Sequence, residues 1–106
     1  MITGGGSSIG RGLALAFAGE GMNVVLADIE RSAAEKVAAE VQALGTKALP
    51  VAVAVSVRAD VQTLANRAWD EFGSVHVPCN NAGMVSFQQL IEAASSDWDW
   101  TMGVNL

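Results

Sequence analysis

The chain has 106 residues, of which 51% are apolar and 16% charged, with a mean hydropathy of +0.33. A chain this apolar can bury surface on folding, which excludes a disordered tail. Six basic against eleven acidic residues give a net charge of -5, and with no basic cluster this excludes a general nucleic-acid binder. A single cysteine excludes an internal disulfide framework and a cysteine-based zinc site, and a single histidine excludes a histidine-rich metal site. The longest apolar stretch, 48–57, contains Pro50 and Ser56 and is half the roughly 20 residues that a membrane span needs. Residues 12–18 imitate a signal-peptide core, but the preceding glycine–serine run lacks basic charge, and the same run fits a helix. The expectation is a soluble cytoplasmic domain.

So apolar a composition in so short a chain predicts missing neighbours, from an oligomer or from further sequence. Both ends favour the latter. A glycine-rich loop begins at Gly4, which leaves a stub of a first strand, and Asn105-Leu106 falls inside a predicted helix.

Ile9, Leu13, Ala16 and Phe17 share one helical face, ending near Gly19 and Gly21. Residues 23–28 (NVVLAD) form a short apolar run that reads as a buried strand. A second helical stripe follows in Ala34, Val37, Ala38, Val41 and Leu44, with Gly45 placed to cap it. Residues 47–55 read as a second buried strand, blemished by Pro50. Val57, Val61, Leu64, Ala65, Ala68 and Phe72 mark a third helix that stops at Gly73. Residues 75–79 (VHVPC) read as a weaker strand with Pro78 inside it. In the last segment Ser96 is the predicted N-cap, Asp97 and Asp99 suit the helix dipole, and Trp98, Thr101, Met102 and Asn105 share a face. The alternation of strands and helices predicts an α/β fold with a parallel sheet and right-handed crossovers.

The run Thr3 to Gly10 (TGGGSSIG) lies between a strand stub and a helix. Small residues let the backbone approach a ligand, and a helix N-terminus offers free N–H groups to a phosphate. A flexible turn has the same composition. A Walker A loop is disfavoured, because Gly10 is followed by Arg11-Gly12. Asp28 ends the next strand, 18 residues after Gly10. In a doubly wound sheet its carboxylate would accept bonds from both adenosine ribose hydroxyls and repel a 2′-phosphate. An aspartate that merely starts a helix would look the same, and a methyltransferase loop would carry the same acidic partner.

Asn80-Asn81-Ala82-Gly83 separates these readings. Thr3-Gly4-x-x-x-Ser8-x-Gly10, followed some 70 residues later by Asn-Asn-Ala-Gly, resembles the signature of the short-chain dehydrogenase/reductase family. The stretch Asp97 to Leu106 is similar to the family's approach to its active-site asparagine. The resemblance covers essentially the whole chain. It implies a Rossmann-type doubly wound sheet, incomplete here, of about four strands in order 3-2-1-4. Residues 1–106 would be the N-terminal dinucleotide-binding half of one domain, with no second domain. The resemblance places Gly4, Ser7, Ser8, Ile9, Gly10, Asp28, Ile29, Val55, Asn80, Ala82 and Gly83 around the cofactor. Asp28 would favour NAD over NADP, and Ser7 stands where NADP-preferring members often carry a basic residue. Asn105 would be the catalytic asparagine that positions a helix backbone and a water in a proton relay. The intact protein would be a homo-oligomeric oxidoreductase transferring hydride between NAD(H) and an alcohol or carbonyl substrate.

The chain also departs from the family. Ser8 replaces the second loop glycine, Ala54 replaces an aspartate near the adenine, and Pro78 interrupts the fourth strand, where it is expected to remove a ladder donor. The family's chemistry needs Ser, Tyr and Lys from a later region, and this chain contains no tyrosine. His76 and Cys79 read as structural, and Trp69, Trp98 and Trp100 as packing or interface residues. These departures leave a competing reading open, a non-catalytic domain that binds a nucleotide or a partner. A methyltransferase-like domain is a weaker third.

Overall fold

A computed structural model describes residues 1–89 and 91–106. Its elements run β1 (Ile2–Thr3), α1 (Ser8–Gly19), β2 (Val24–Asp28), α2 (Arg31–Ala43), β3 (Ala48–Ala52), α3 (Arg58–Phe72) and α4 (Ser95–Asn105). The three strands form a parallel sheet in which β2 is central, with Ile2 beside Leu26 and Leu26 beside Pro50.

The apolar run of β2 is continuous because both of its faces are covered. Val24 and Leu26 join Ile2, Ala14, Ala18, Val37 and Val41 in a core beneath α1 and α2. Val25 and Ala27 point the other way and join Val51, Val53, Leu64 and Ala68 beneath α3. This is the doubly wound arrangement, with helices on both faces of one sheet.

The fourth strand is reduced to a single parallel bridge, Ile2 to Cys79. Even so, this segment lies on the free side of β1, so the observed strand order is 3-2-1 with Cys79 in the fourth place. Cys79 N–H donates to the Met1 carbonyl at 2.8 Å and Thr3 N–H donates to the Cys79 carbonyl at 3.1 Å. The Met1 ammonium donates to the Val77 carbonyl at 3.0 Å. Residues 77 and 79 therefore face β1. By the alternation of an extended chain, Pro78 faces away from it. Pro78 therefore removes no donor from the ladder with β1.

Pro50 obeys the same rule. Val24 N–H donates to the Lys47 carbonyl and Val53 N–H to the Asp28 carbonyl, each at 2.9 Å. The odd-numbered residues of β3 face β2, and Pro50 faces the outer edge, where a missing N–H costs nothing.

Other boundaries shift. The strand predicted over 47–55 is confined to Ala48–Ala52. In α1 the buried residues are Gly10, Ala14 and Ala18, while Ile9 is 72% exposed. Glycine and alanine let α1 lie close to the sheet, and the larger Ile9 turns outward. The N-cap of α4 is Ala94, not Ser96. Ala94 has no side-chain acceptor, so only half of a capping box forms, with Asp97 Oδ2 accepting from the Ala94 N–H at 2.9 Å. Gly45 and Gly73 take the left-handed conformation at the ends of α2 and α3, with φ of 93° and 70°.

Candidate functional site

Strands β1 and β2 deliver their C-terminal ends to the glycine loop and to Asp28. Gly5 N–H donates to the Ala27 carbonyl at 3.0 Å, which holds the loop against β2. Asp28 then fixes the loop from its side chain. Oδ2 accepts from the Gly6 N–H at 2.9 Å, and Oδ1 accepts from the Glu30 N–H at 3.0 Å. The carboxylate is thereby oriented before any ligand arrives.

Close approach explains the glycines here. A Cβ on Gly10 would lie 2.0 Å from the Gly4 carbonyl oxygen, and one on Gly6 would lie 2.8 Å from Asp28 Oδ2. Among the described residues, the N–H groups of Ser8, Ile9 and Gly10 have no backbone acceptor, as expected for the first turn of α1.

The segment after the fourth strand is tied to the same loop through Thr3. Its Oγ1 accepts from the N–H groups of Asn81 and Ala82, both at 3.0 Å. The Asn81 amide donates to the carbonyls of Thr3 at 3.0 Å and Gly4 at 3.3 Å. On the other flank, Asp60 Oδ2 accepts from the Ala54 N–H at 3.0 Å and fixes the turn that follows β3.

These segments enclose a cavity of about 420 Å³. Gly4, Ser7, Ser8, Ile9 and Gly10 line it from the loop, Asp28 and Ile29 from the end of β2, and Val55 from the turn after β3. Ala82 and Gly83 close the far side. The exposure of Ile9 thus has a local cause, since its side chain borders this cavity. Asn80 does not line it, and its neighbour Asn81 does. Ala54, noted in the sequence as standing in place of an adenine-side aspartate, also lines it, as do Val53, Ser56, Met84, Trp100 and Val104, which sequence reading did not single out as site residues. Ser56 and Met84 adjoin recognised motifs, and that adjacency was the available signal. Trp100 and Val104 arrive from a distant helix, and their only signal was their place in the stretch Asp97 to Leu106 that resembles the family's approach to its asparagine.

Asn105 lies outside this cavity. Its Oδ1 accepts from the Met84 N–H at 2.9 Å and its Nδ2 donates to the Met84 carbonyl at 2.8 Å. These two bonds clamp α4 to the loop after Gly83. It borders a second cavity, of about 360 Å³, with Met84, Trp98 and Thr101. His76 is exposed and Cys79 half-buried, and both lie away from the main cavity.

A glycine loop, a helix N-terminus and an oriented carboxylate around one crevice at the carboxyl ends of parallel strands form a dinucleotide-type arrangement. Known proteins with this arrangement match the chain closely. A solved short chain dehydrogenase/reductase from Burkholderia phymatum, in complex with NAD, is 41% identical, with a TM-score of 0.95 over 99% of this chain and 37% of that one. A 3-ketoacyl-(acyl-carrier-protein) reductase from Brucella melitensis, complexed with NADH, is 38% identical, with a TM-score of 0.90 over 99% of this chain and 43% of that one. The cyclohexanol dehydrogenase of Acinetobacter sp. (strain SE19) is 37% identical over 107 residues, which are 100% of this chain and 43% of that relative. The probable oxidoreductase EphD of Mycobacterium tuberculosis is 37% identical over 99% of this chain and 18% of its own length. The chain thus spans less than half of each of these relatives. The short chain dehydrogenase family pattern matches residues 1–106, from the glycine loop through the Asn105 clamp, and the chain belongs to that family.

Proposed function

We propose that this chain is the cofactor-binding half of a Rossmann domain. The protein carrying it would transfer a hydride between NAD(H) and a small-molecule alcohol or carbonyl compound. The single observation behind the NAD preference is the Asp28 carboxylate, held at the mouth of the glycine loop by Gly6 and Glu30. The ribose hydroxyls of NAD would donate to its remaining lone pairs. A 2′-phosphate would meet like charge there, with neither Ser7 nor any basic residue in the cavity lining to offset it.

The residues present fit the cofactor. The N–H groups of Ser8, Ile9 and Gly10 would take the pyrophosphate at the positive end of α1. Gly4, Ala82 and Gly83 would border the nicotinamide half, and Ile29 and Val55 the adenine half. Bound NAD supplies the hydride acceptor. The residues of this chain bind and orient it, while Asn105 fixes the backbone of α4 through Met84. The general acid/base tyrosine of the family mechanism has no counterpart here, because the chain contains no tyrosine. The 106 residues alone should therefore bind cofactor without turnover. The same reading makes the whole protein a cytoplasmic homo-oligomer, and among the described residues no helix is long and apolar enough to cross a membrane.

Calorimetric titration of the chain with NADH and then NADPH, after circular dichroism shows it folded, tests this. NADH should bind at least about tenfold more tightly, and Asp28→Asn should narrow that gap by removing the like-charge repulsion. Equal or tighter binding of NADPH to the native chain would end the NAD assignment. No binding of either by a folded chain would favour a non-catalytic domain.

A further inference from the structure

Trp100 is a solvent-facing tryptophan on a helix with no buried residue, yet it lines the main cavity. The residue is 57% exposed. Val104 lies one turn further along α4 and lines the same cavity, so the two present one face to it. Trp98, Thr101 and Asn105 lie around the helix and border the second cavity instead. Helix α4 is thus a wall between two cavities, and Trp100 stands on the cofactor side.

The helix reaches the cavity beside the turn after β3. A Cβ built on Gly103 would lie 3.5 Å from Ser56 Cβ. That turn is the outer flank of the cavity, beyond Asp28 at the end of β2. A dinucleotide whose ribose sits on Asp28 would extend its base toward this flank. Apart from the Ser56 hydroxyl, the side chains waiting there are apolar. Ile29 is 65% exposed at the cavity mouth, and Ala54 and Val55 supply no charged side chain. A flat heteroaromatic base needs such walls, and an indole adds a stacking surface.

On the reading that the cavity binds a dinucleotide, we propose that Trp100 is an adenine-binding residue, its indole packing on the base opposite Ile29. Ala54 offers the base no side-chain hydrogen bond, and the tryptophan replaces that polar contact with stacking. Base recognition in this chain is therefore aromatic, and α4 contributes to the cofactor site through its side chains as well as through the Asn105 clamp.

Tryptophan fluorescence during titration with 5′-AMP, NADH and nicotinamide mononucleotide tests the proposal. Adenosine monophosphate should change the emission of the native chain and of the Trp69→Phe and Trp98→Phe variants. Trp100→Phe should lose that signal while keeping most of the affinity, because phenylalanine still offers a ring. Trp100→Ala should weaken AMP and NADH by about tenfold and leave nicotinamide mononucleotide unchanged. Unchanged AMP affinity in a folded Trp100→Ala chain would overturn the proposal. So would an equal loss for AMP and nicotinamide mononucleotide, which marks a general structural role. A folded native chain that binds neither AMP nor NADH would instead overturn the dinucleotide reading on which the proposal rests.

Discussion

Ser8 is the one non-glycine residue with a positive φ, 44°, among the described residues. A side chain in the left-handed region costs roughly 1–2 kcal/mol, and glycine gives back part of that through its freer unfolded chain. Ser8→Gly should therefore stabilise the fold by somewhat less than about 1 kcal/mol, a rise of a few degrees in melting temperature. Ser8→Ala keeps the Cβ and should not show the gain. A scanning melt of the three chains checks this, and an equal rise in both variants would locate the cost in the hydroxyl rather than the backbone. This departure was legible in the sequence once the loop was set against the pattern of the family it resembles. The sequence could not show that Thr3 and Asn81 would knit the two motifs together. Their bonds join positions 78 residues apart, and nothing local distinguishes Asn81 from Asn80.

Element type was legible wherever periodicity was strong, and boundaries failed where an edge or a cap decided them. The stripe Ala34, Val37, Ala38 and Val41 is buried as read, and Leu44, at the end of that helix, is 53% exposed. The fourth strand was over-read, because a run of valines satisfies the strand pattern without showing how many partners flank it. Both prolines looked like defects until the parity of the ladders put them on outer edges. In α1, Leu13 and Phe17 of the predicted stripe pack half-buried against the core, while Ile9 and Ala16 are exposed. Close packing on the sheet selects Gly10 and Ala14, and Ile9 belongs to the cavity. The two glycines of α1 therefore predict opposite outcomes. Gly12 is exposed and a Cβ there meets nothing within 4 Å, so Gly12→Ala should stabilise by about 0.5–1 kcal/mol. Gly10→Ala drives a Cβ into the Gly4 carbonyl and should destabilise by well over 1 kcal/mol and abolish NADH binding. Denaturant melts of the two variants give the signs directly. A mild effect at Gly10 would mean that the loop can open without loss.

Among the described residues, the buried apolar side chains lie in the sheet, in α1–α3 and at Val53 just after β3, and none lies beyond Ala68. Phe87 is 97% exposed, Ile91 89% and Val85 69%, with Trp98, Trp100 and Met102 near half-exposed on α4. Exposed apolar side chains gathered in one stretch of chain favour association. In the 106-residue chain the sheet edges are poorer candidates, because Pro50 and Pro78 turn their donor-free sides away from the strands they pair with. The chain should therefore self-associate through residues 85–89 and 91–102 rather than by strand pairing. Sedimentation at rising concentration should show a mass above that of the 10.9 kDa monomer. Phe87→Ser with Ile91→Ser should shift the population toward monomer and leave the melt nearly unchanged, because neither side chain is buried. Association that survives the double substitution, with a rise in β-structure by circular dichroism, would locate the contact at the sheet edge and show that the prolines do not protect it.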